Sequence, residues 1–217
     1  MSMTLRERLA MDEVIKEGHF KLTSGRHSRV YINKDDIYSN ESLFRTVVNM
    51  MCTAIVLDYG YFDIITGPAI AGAVLAAPIS LNLGKPFVYP EKKMELSRES
   101  YMCHGEPHFY NNIVSTGMEF RRGYDKKLKG KRVVIVEDII TTGKSVNQTI
   151  DAIKECGGTV DKIFAIWNRT GAFFSPPTDG DVISLINEYV ESWDEKECEL
   201  CKEGIPLTDP KTGEVIK

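Results

Sequence analysis

The sequence has no surplus of basic residues and no extreme of composition. Among its 217 residues, 27 are Lys or Arg and 31 are Asp or Glu, so the formal net charge is −4. A protein dedicated to nucleic-acid binding usually carries a basic excess, so we expect no nucleic-acid partner. With 42% hydrophobic and 27% charged residues, the chain is neither disordered nor collagen-like. Its length is sufficient for one domain with a buried core.

Long apolar runs are also missing, and we expect no leader segment. The first ten residues carry charges and no apolar stretch, which argues against a signal peptide and predicts a cytoplasmic protein. The uncharged stretch at 64–83 contains two glycines and two prolines. We therefore expect a strand, a loop and a helix there and no membrane span.

Cysteine is scarce, and the five thiols occur at Cys52, Cys103, Cys156, Cys198 and Cys201. An odd number in a chain without a signal for secretion predicts reduced thiols. The Cys198-x-x-Cys201 spacing also matches half of a structural zinc site, but a second pair of ligands would be needed. The one suggestion of such a pair is that Cys103 and His104 are adjacent in sequence. Because this is weak support for a second ligand pair, we expect ordinary thiols.

Apolar spacing and turn residues predict alternating helices and strands. The predicted helices cover residues 4–17, 40–57, 71–83 and 143–156, and the predicted strands lie within 19–33 and at 62–66, 87–89, 133–136, 160–167 and 182–186. This alternation is typical of an α/β fold with a parallel sheet. Residues 91–119 are polar and aperiodic, which predicts a functional loop or lid.

The most informative motif follows the β-branched run at 133–136. Two adjacent acids, Glu137 and Asp138, end this strand, and a short polar loop then opens the next helix. Backbone N–H groups, hydroxyls and the helix dipole can bind a phosphate there, while the carboxylates can accept hydrogen bonds from a sugar diol. The pattern therefore fits a ribose 5-phosphate. A Walker A loop is excluded, because it would need glycine where Asp138 stands.

This motif resembles the signature of the type I phosphoribosyltransferases, which bind phosphoribosyl pyrophosphate. The resemblance implies that Glu137 and Asp138 are catalytic and hold the ribose hydroxyls. It implies a 5-phosphate site formed by Thr141, Thr142, Gly143, Lys144 and Ser145. A second loop after a strand, starting at Gly67, is similar to the pyrophosphate loop of the family, in which a cis peptide bond is common. The implied pyrophosphate contacts there are Ala69, Ile70, Ala71 and Gly72, with the glycines permitting close approach to the ligand.

The substrate that accepts the phosphoribosyl group is suggested by residues 18–33. These residues resemble part of the orotate phosphoribosyltransferases. That resemblance implies orotate as the substrate and pyrimidine nucleotide biosynthesis as the role. The implied base contacts are Ser24, Tyr31, Thr141 and Arg169, and Arg169 would supply the cation that the carboxylate of orotate needs. Many of these enzymes carry lysine where this chain has Thr23 and Ala71. Another nucleobase, as in purine salvage, and a non-catalytic regulator that senses phosphoribosyl pyrophosphate therefore stay open as alternatives.

The resemblance also implies an architecture. We expect a single domain over 1–217, with a parallel twisted sheet flanked by helices in a core at about 40–172. We expect a hood, defined as residues 1–39 plus 173–217, and a lid at about 91–119. In the lid, Lys92 (catalytic) and Lys93 are expected to bind pyrophosphate, and His104 is a further candidate. Mg²⁺ is the implied cofactor, held through substrate and water and not directly by protein ligands, and a homodimer is implied.

Overall fold

The computed structural model describes residues 3–22, 25–58, 60–103, 106–171 and 181–216. Two predicted site residues, Ser24 and His104, lie outside these ranges, as do Thr23 and the first part of the C-terminal hood segment. The helices are α1 (Leu5–Met11), α2 (Lys34–Ser39), α3 (Glu41–Asp58), α4 (Ala71–Leu83), α5 (Tyr124–Leu128), α6 (Lys144–Glu155) and α7 (Glu199–Lys202), and the strands are β1 (Ile15–Lys21), β2 (His27–Ile32), β3 (Ile64–Thr66), β4 (Glu91–Cys103), β5 (Glu106–Glu119), β6 (Arg132–Ile140), β7 (Thr159–Asn168) and β8 (Asp181–Asn187).

A four-stranded parallel sheet in the order β3-β6-β7-β8 forms the centre of the molecule. The β-branched run of β6 is buried on both faces of this sheet. Val134 and Val136 join a core cluster on one face, and Val133 and Ile135 join another on the opposite face. An uninterrupted apolar run is what a strand covered on both sides requires. The predicted α/β fold with a parallel sheet flanked by helices is confirmed.

Helices cover the two faces of the sheet. On the first face, α3 packs through Leu43, Val47, Met51 and Ile55, and α4 packs through residues that include Leu75 and Ile79. On the second face, α6 buries Val146, Ile150 and Ile153. Among the described residues, no helix has both the length and the apolar character needed to cross a membrane.

The first helix is shorter than the apolar spacing predicts. Thr4 and Glu7 form a reciprocal capping box at its start, but the helix ends at Met11 instead of residue 17. Glu13 then adopts a positive φ of 57°, and Ile15 begins β1, which pairs antiparallel with β2. Pairing with β2 and burial of Ile15 therefore override a weak helical periodicity.

The segment at 91–119 is a long antiparallel hairpin and not the irregular loop expected from its sequence. Strands β4 and β5 pair from Glu91 with Glu119 up to Cys103 with Glu106, with one bulge after Lys93. Most side chains on both faces are exposed. Because neither face is buried, the sequence shows no alternation of apolar and polar residues from which a strand could be predicted. The predicted strand at 87–89 is reduced to one bridge between Phe87 and Ile65.

Segments from the two ends of the chain lie together beside the sheet. His27 and Trp193 exchange two backbone hydrogen bonds, of 2.8 and 2.9 Å. Thr208 pairs with Phe20 in a parallel bridge. Arg6 of α1 forms an ion pair with Glu188 at 2.6 Å. The β1-β2 hairpin is thus held to the C-terminal segment at several points.

Candidate active site

Two loops meet where neighbouring parallel strands end. One loop follows β3 and leads into α4, and the other follows β6 and leads into α6. Because β3 and β6 pair directly, the carboxyl ends of both strands bring their loops to the same edge of the sheet. In open α/β folds this edge is where ligands bind.

The first loop packs tightly against β6 through two glycines. A Cβ atom on Gly67 would lie 2.3 Å from the backbone carbonyl of Gly72 and 2.6 Å from the carbonyl oxygen of Val136. A Cβ atom on Gly72 would lie 2.8 Å from that same oxygen and 3.2 Å from Oε1 of Glu137. The glycines therefore permit close approach of the loop to β6, whereas the sequence suggested only close approach to a ligand. The peptide bond between Ala69 and Ile70 is cis.

Glu137 is buried, and hydrogen bonds from neighbouring groups hold both of its carboxyl oxygens. Its Oε2 accepts a hydrogen bond from the Ser145 hydroxyl at 2.9 Å, and its Oε1 accepts one from the backbone N–H of Asp138 at 3.0 Å. Burial, followed by the neighbouring charge of Asp138, raises the pKa of Glu137 above its ordinary value. The site thus contains a carboxyl group that takes up a proton more readily than a surface glutamate.

Asp138 is only 2% exposed and points toward α2. Its Oδ2 lies 2.9 Å from Nζ of Lys34 and within 3.4 Å of the hydroxyl of Tyr38. Burial opposes the charge on Lys34, but the nearby acids, Asp138 foremost with Glu137 and Asp35, together outweigh it and raise the pKa of Lys34. Burial, together with Asp138, also raises the pKa of Tyr38. Asp138 is thus paired with a cation and a hydroxyl group of α2.

The second loop forms an exposed cradle at the start of α6. Thr141, Thr142 and Lys144 are exposed there, and Gly143, the N-cap of the helix, has a φ of 71° and no side-chain cap. The Thr142 hydroxyl accepts a long hydrogen bond from the N–H of Lys144, at 3.4 Å. A helix start of this kind, with N–H groups at its first turn and hydroxyls around it, suits an anion.

Two neighbouring cavities share this edge of the sheet. The larger, of about 920 Å³, is lined by Asp138, Arg169 and Tyr31, together with other residues of both loops. The smaller, of about 380 Å³, lies between the cradle and the base of the β4-β5 hairpin and includes Lys92. Both include Thr141 and Ala69. A ligand with a phosphate in the smaller cavity could therefore extend into the larger one.

Arg169 lines the larger cavity. Its backbone is anchored, because its N–H donates to Ile140 and its carbonyl accepts from Val190. Within the described ranges, however, no hydrogen bond or ion pair engages its guanidinium. Burial lowers the pKa of this group from its ordinary value. A half-buried cation of this kind is suited to an anionic ligand.

Comparison with known proteins agrees with this geometry. A family model described as the phosphoribosyl transferase domain matches residues 35–172. The chain belongs to the phosphoribosyltransferase family.

The relatives of this phosphoribosyltransferase include proteins that match it over most of the length of both chains. An orotate phosphoribosyltransferase from Caldanaerobacter subterraneus subsp. tengcongensis is 31% identical over 201 residues, covering 91% of this chain and 90% of the relative. Among solved structures, an orotate phosphoribosyltransferase from Aeropyrum pernix has a TM-score of 0.59 at 23% identity, covering 84% of this chain and 93% of that one. An adenine phosphoribosyltransferase from Thermoanaerobacter pseudethanolicus has a TM-score of 0.51 at 23% identity, covering 72% and 87%. The two solved structures show the fold alone.

The phosphoribosyltransferase site brings together most of the residues predicted from sequence. The cavities are lined by Glu137, Asp138, Thr141, Thr142, Gly143, Lys144, Ser145, Ala69, Ile70, Ala71, Lys92, Tyr31 and Arg169. Gly72, in the first turn of α4, packs against the carbonyl oxygen of Val136 in β6. Lys93 is directed elsewhere and forms an ion pair with Glu95 at 3.3 Å.

Sequence reasoning missed two residues of the phosphoribosyltransferase site, Lys34 and Tyr38. Both belong to α2, a helix of six residues that is too short to produce a recognisable apolar period. The one available signal was a lysine and a tyrosine four positions apart in a polar segment, and this does not distinguish a binding site from an exposed surface.

Proposed function

We propose that this phosphoribosyltransferase transfers the 5-phosphoribosyl group from phosphoribosyl pyrophosphate to orotate, giving orotidine 5-phosphate and pyrophosphate. The observation that carries the proposal is the guanidinium of Arg169 in the larger cavity, which has no hydrogen-bond or ion-pair partner in the described part of the chain. Orotate is a nucleobase that carries a carboxylate, which such a cation can bind. The names of the curated relatives at 31% identity support the same acceptor.

The two cavities suggest how the donor would lie. The 5-phosphate would occupy the cradle at the start of α6, where Thr141, Thr142 and backbone N–H groups can donate hydrogen bonds. The ribose would lie over Glu137 and Asp138, whose carboxylates accept from its vicinal hydroxyls. Its anomeric carbon would then face the larger cavity, where Arg169 and Tyr31 would hold the base.

Catalysis in this arrangement depends on positioning and charge. Loss of pyrophosphate leaves the anomeric carbon with oxocarbenium character, as in glycoside cleavage. The carboxyl group of Asp138, which lies 2.9 Å from Nζ of Lys34, would stabilise that positive charge through the ribose hydroxyls. The departing pyrophosphate, which is attached to the anomeric carbon, would lie against Ala69 and Ile70 where the two cavities adjoin. Lys92, on the wall of the smaller cavity, would stabilise its negative charge. The base nitrogen needs only to be held in line with the carbon.

Mg²⁺ fits this site as an ion held through the substrate. Oxygen ligands are the ones it prefers, but Glu137 already accepts two hydrogen bonds and Asp138 is paired with Lys34. Neither carboxylate is open for full coordination, so contact through water and ribose hydroxyls is favoured. When bound, the ion would supply charge neutralisation on the pyrophosphate.

We extend the proposal to a homodimer in the cytoplasm. The β4-β5 hairpin carries large apolar side chains that are exposed on the single chain, among them Leu96, Met102, Phe109 and Ile113. Burying such side chains against a second copy would be favourable. The family resemblance supports the same assembly.

A base panel tests the proposed reaction. The protein is incubated with phosphoribosyl pyrophosphate, Mg²⁺ and one of orotate, uracil, adenine, hypoxanthine or guanine, and released pyrophosphate is measured. We expect release with orotate and only background with the others. Release with a purine base but not with orotate would contradict the proposal and favour purine salvage.

Arg169 should determine the affinity for the acceptor. Replacing it by glutamine removes a charged hydrogen-bond donor, an interaction of about 1.5–3 kcal/mol, so the KM for orotate should rise about 10- to 100-fold. The KM for phosphoribosyl pyrophosphate should change far less. The matched control is Arg121→Gln, since Arg121 is exposed beside the hairpin base and pairs with Glu119. An unchanged KM for orotate would show that Arg169 does not hold the acceptor.

A further inference from the structure

Four metal-ligating side chains converge outside the active site. His19 of β1 and His27 of β2 face Cys198 and Cys201 of the C-terminal segment. One ligand atom from each residue lies within 4.8 Å of the other three. The two histidines and Cys198 are buried, and Cys201 is partly buried. Such a group of two imidazoles and two thiols is a common ligand set for zinc.

The distances between the ligand atoms fit a tetrahedral ion. Nε2 of His19 lies 3.4 Å from Sγ of Cys198 and 3.7 Å from Sγ of Cys201, and Nδ1 of His27 lies 3.3 Å from Sγ of Cys201. A tetrahedral zinc ion with bonds of about 2.0–2.3 Å places its ligand atoms about 3.3–3.8 Å apart. The two ring nitrogens are 3.0 Å apart, so an adjustment of a few tenths of an ångström would complete the geometry.

The surroundings orient one of the ligands, His19, as a metal site requires. Nδ1 of His19 lies 2.7 Å from the carbonyl oxygen of Ile205. Because that oxygen can only accept, Nδ1 carries the proton and Nε2 presents its lone pair to the other three residues. A second hydrogen bond from a ligating histidine to a carbonyl is the usual support of a zinc site.

The backbone around the cluster is fixed as well. The His19 carbonyl accepts from the N–H and the hydroxyl of Thr208, at 2.9 and 3.0 Å. His27 is paired with Trp193 in an antiparallel bridge. A cavity of about 1240 Å³ lined by His19 and Cys201 gives an ion a path to the cluster.

We propose that His19, His27, Cys198 and Cys201 bind one structural zinc ion. Four protein ligands leave no open position for a substrate, which is the property of a structural and not a catalytic site. The ion would join the β1-β2 hairpin to the C-terminal segment, across a separation of 179 positions between His19 and Cys198. Closing so long a loop stabilises the folded chain. The second ligand pair is thus two histidines, and not Cys103 with His104.

Metal analysis of the purified full-length protein tests the proposal. We expect one zinc per chain by mass spectrometry after dialysis against metal-free buffer. Cys201→Ser and His27→Asn should reduce bound zinc to less than about one tenth per chain. The matched controls Cys52→Ser and Cys156→Ser change thiols outside the cluster and should keep a full equivalent.

A second measurement on the unmutated chain decides the question even if the variants fail to fold. Zinc is removed with a chelator under reducing conditions and Co²⁺ is added. We expect the visible bands of tetrahedral Co²⁺ together with a thiolate-to-cobalt charge-transfer band, and a rise in Tm when the ion is restored. Folded protein that holds less than one tenth of a zinc per chain and gives no cobalt spectrum would overturn the proposal. So would a disulfide between Cys198 and Cys201. None of these readouts depends on transferase activity.

Discussion

At the scale of single residues, Asp138 is the side chain on which the proposed chemistry depends most. Asp138→Asn keeps the shape but removes the charge, so the variant can no longer stabilise a positive anomeric carbon. We expect kcat/KM to fall by about 10²–10³-fold. The fold should remain intact, because Lys34 is 43% exposed and can turn toward water.

The check combines steady-state kinetics with circular dichroism and thermal unfolding. Asp151→Asn is the matched control, since Asp151 is an exposed residue of α6. Turnover of Asp138→Asn equal to that of the unmutated enzyme would remove Asp138 from the mechanism.

Glu137 should make stability depend on pH. Burial and the charge of Asp138 raise its pKa in the folded protein, so the unfolded chain loses this proton at a lower pH than the folded chain does. Between the two pKa values the unfolded state therefore binds fewer protons, and stability falls as the pH rises. The loss is about 1.4 kcal/mol for each unit by which the two values differ.

Glu137→Gln removes this titration while keeping an oxygen for the N–H of Asp138. Urea unfolding at pH 5 and pH 8 should show the unmutated protein losing more stability than the variant over that interval. Glu155→Gln, at an exposed position of α6, should behave as the unmutated protein does. Identical pH dependence for all three proteins would contradict the raised pKa of Glu137.

At the scale of elements, the loop between β3 and α4 depends on the absence of a side chain at Gly67. A Cβ atom there would lie 2.3 Å from the backbone of Gly72, which no rotamer change can relieve. Gly67→Ala should therefore cost about 3 kcal/mol, the upper part of the range for overpacking. At Gly60 an added Cβ atom would meet nothing within 4 Å, so Gly60→Ala serves as the control. Equal unfolding midpoints for the two variants would be inconsistent with this packing.

The elements also show what could be predicted from sequence and why. β6 and α6 could be predicted because their signals are local, namely a buried β-branched run and a helix that starts after Gly143. The β4-β5 hairpin could not be predicted, because neither face of its two strands is buried and the sequence therefore lacks an alternation of apolar and polar residues. The first residues of β1 fall inside the helix predicted over 4–17, because their order comes from pairing with β2, which lies outside the local sequence window.

At the scale of the whole molecule, contacts between distant segments are the part that sequence does not reveal. The motif around Glu137 and Asp138 indicates a phosphate and a diol on its own, since all its members lie within thirteen residues. The convergence of His19 and His27 with Cys198 and Cys201 depends on how the two ends of the chain fold together. No spacing rule connects positions separated by 179 residues.

In the proposed homodimer, Lys92 could serve the site of its own subunit or that of the second copy. The base of the β4-β5 hairpin is anchored in its own chain, because Met118, opposite Lys92 in the hairpin, is buried in one cluster with Val146 of α6. Lys92 then lines a cavity formed by its own subunit. We therefore expect Lys92 to act within its own subunit even if the exposed part of the hairpin contacts a second copy.

Mixing two inactive variants tests this expectation. Lys92→Ala and Asp138→Asn are each purified, shown to be dimers by light scattering, and then unfolded and refolded together. If Lys92 acts within its own subunit, every site of a mixed dimer lacks one of the two groups, and no activity returns. If Lys92 reached across the interface, one site of each mixed dimer would be complete, and about a quarter of the unmutated activity would return, because half of the dimers would be mixed.

Lys154→Ala, which changes an exposed lysine of α6, replaces Lys92→Ala in the control mixture. Because half of its subunits still carry intact sites, that mixture should retain about half of the unmutated activity.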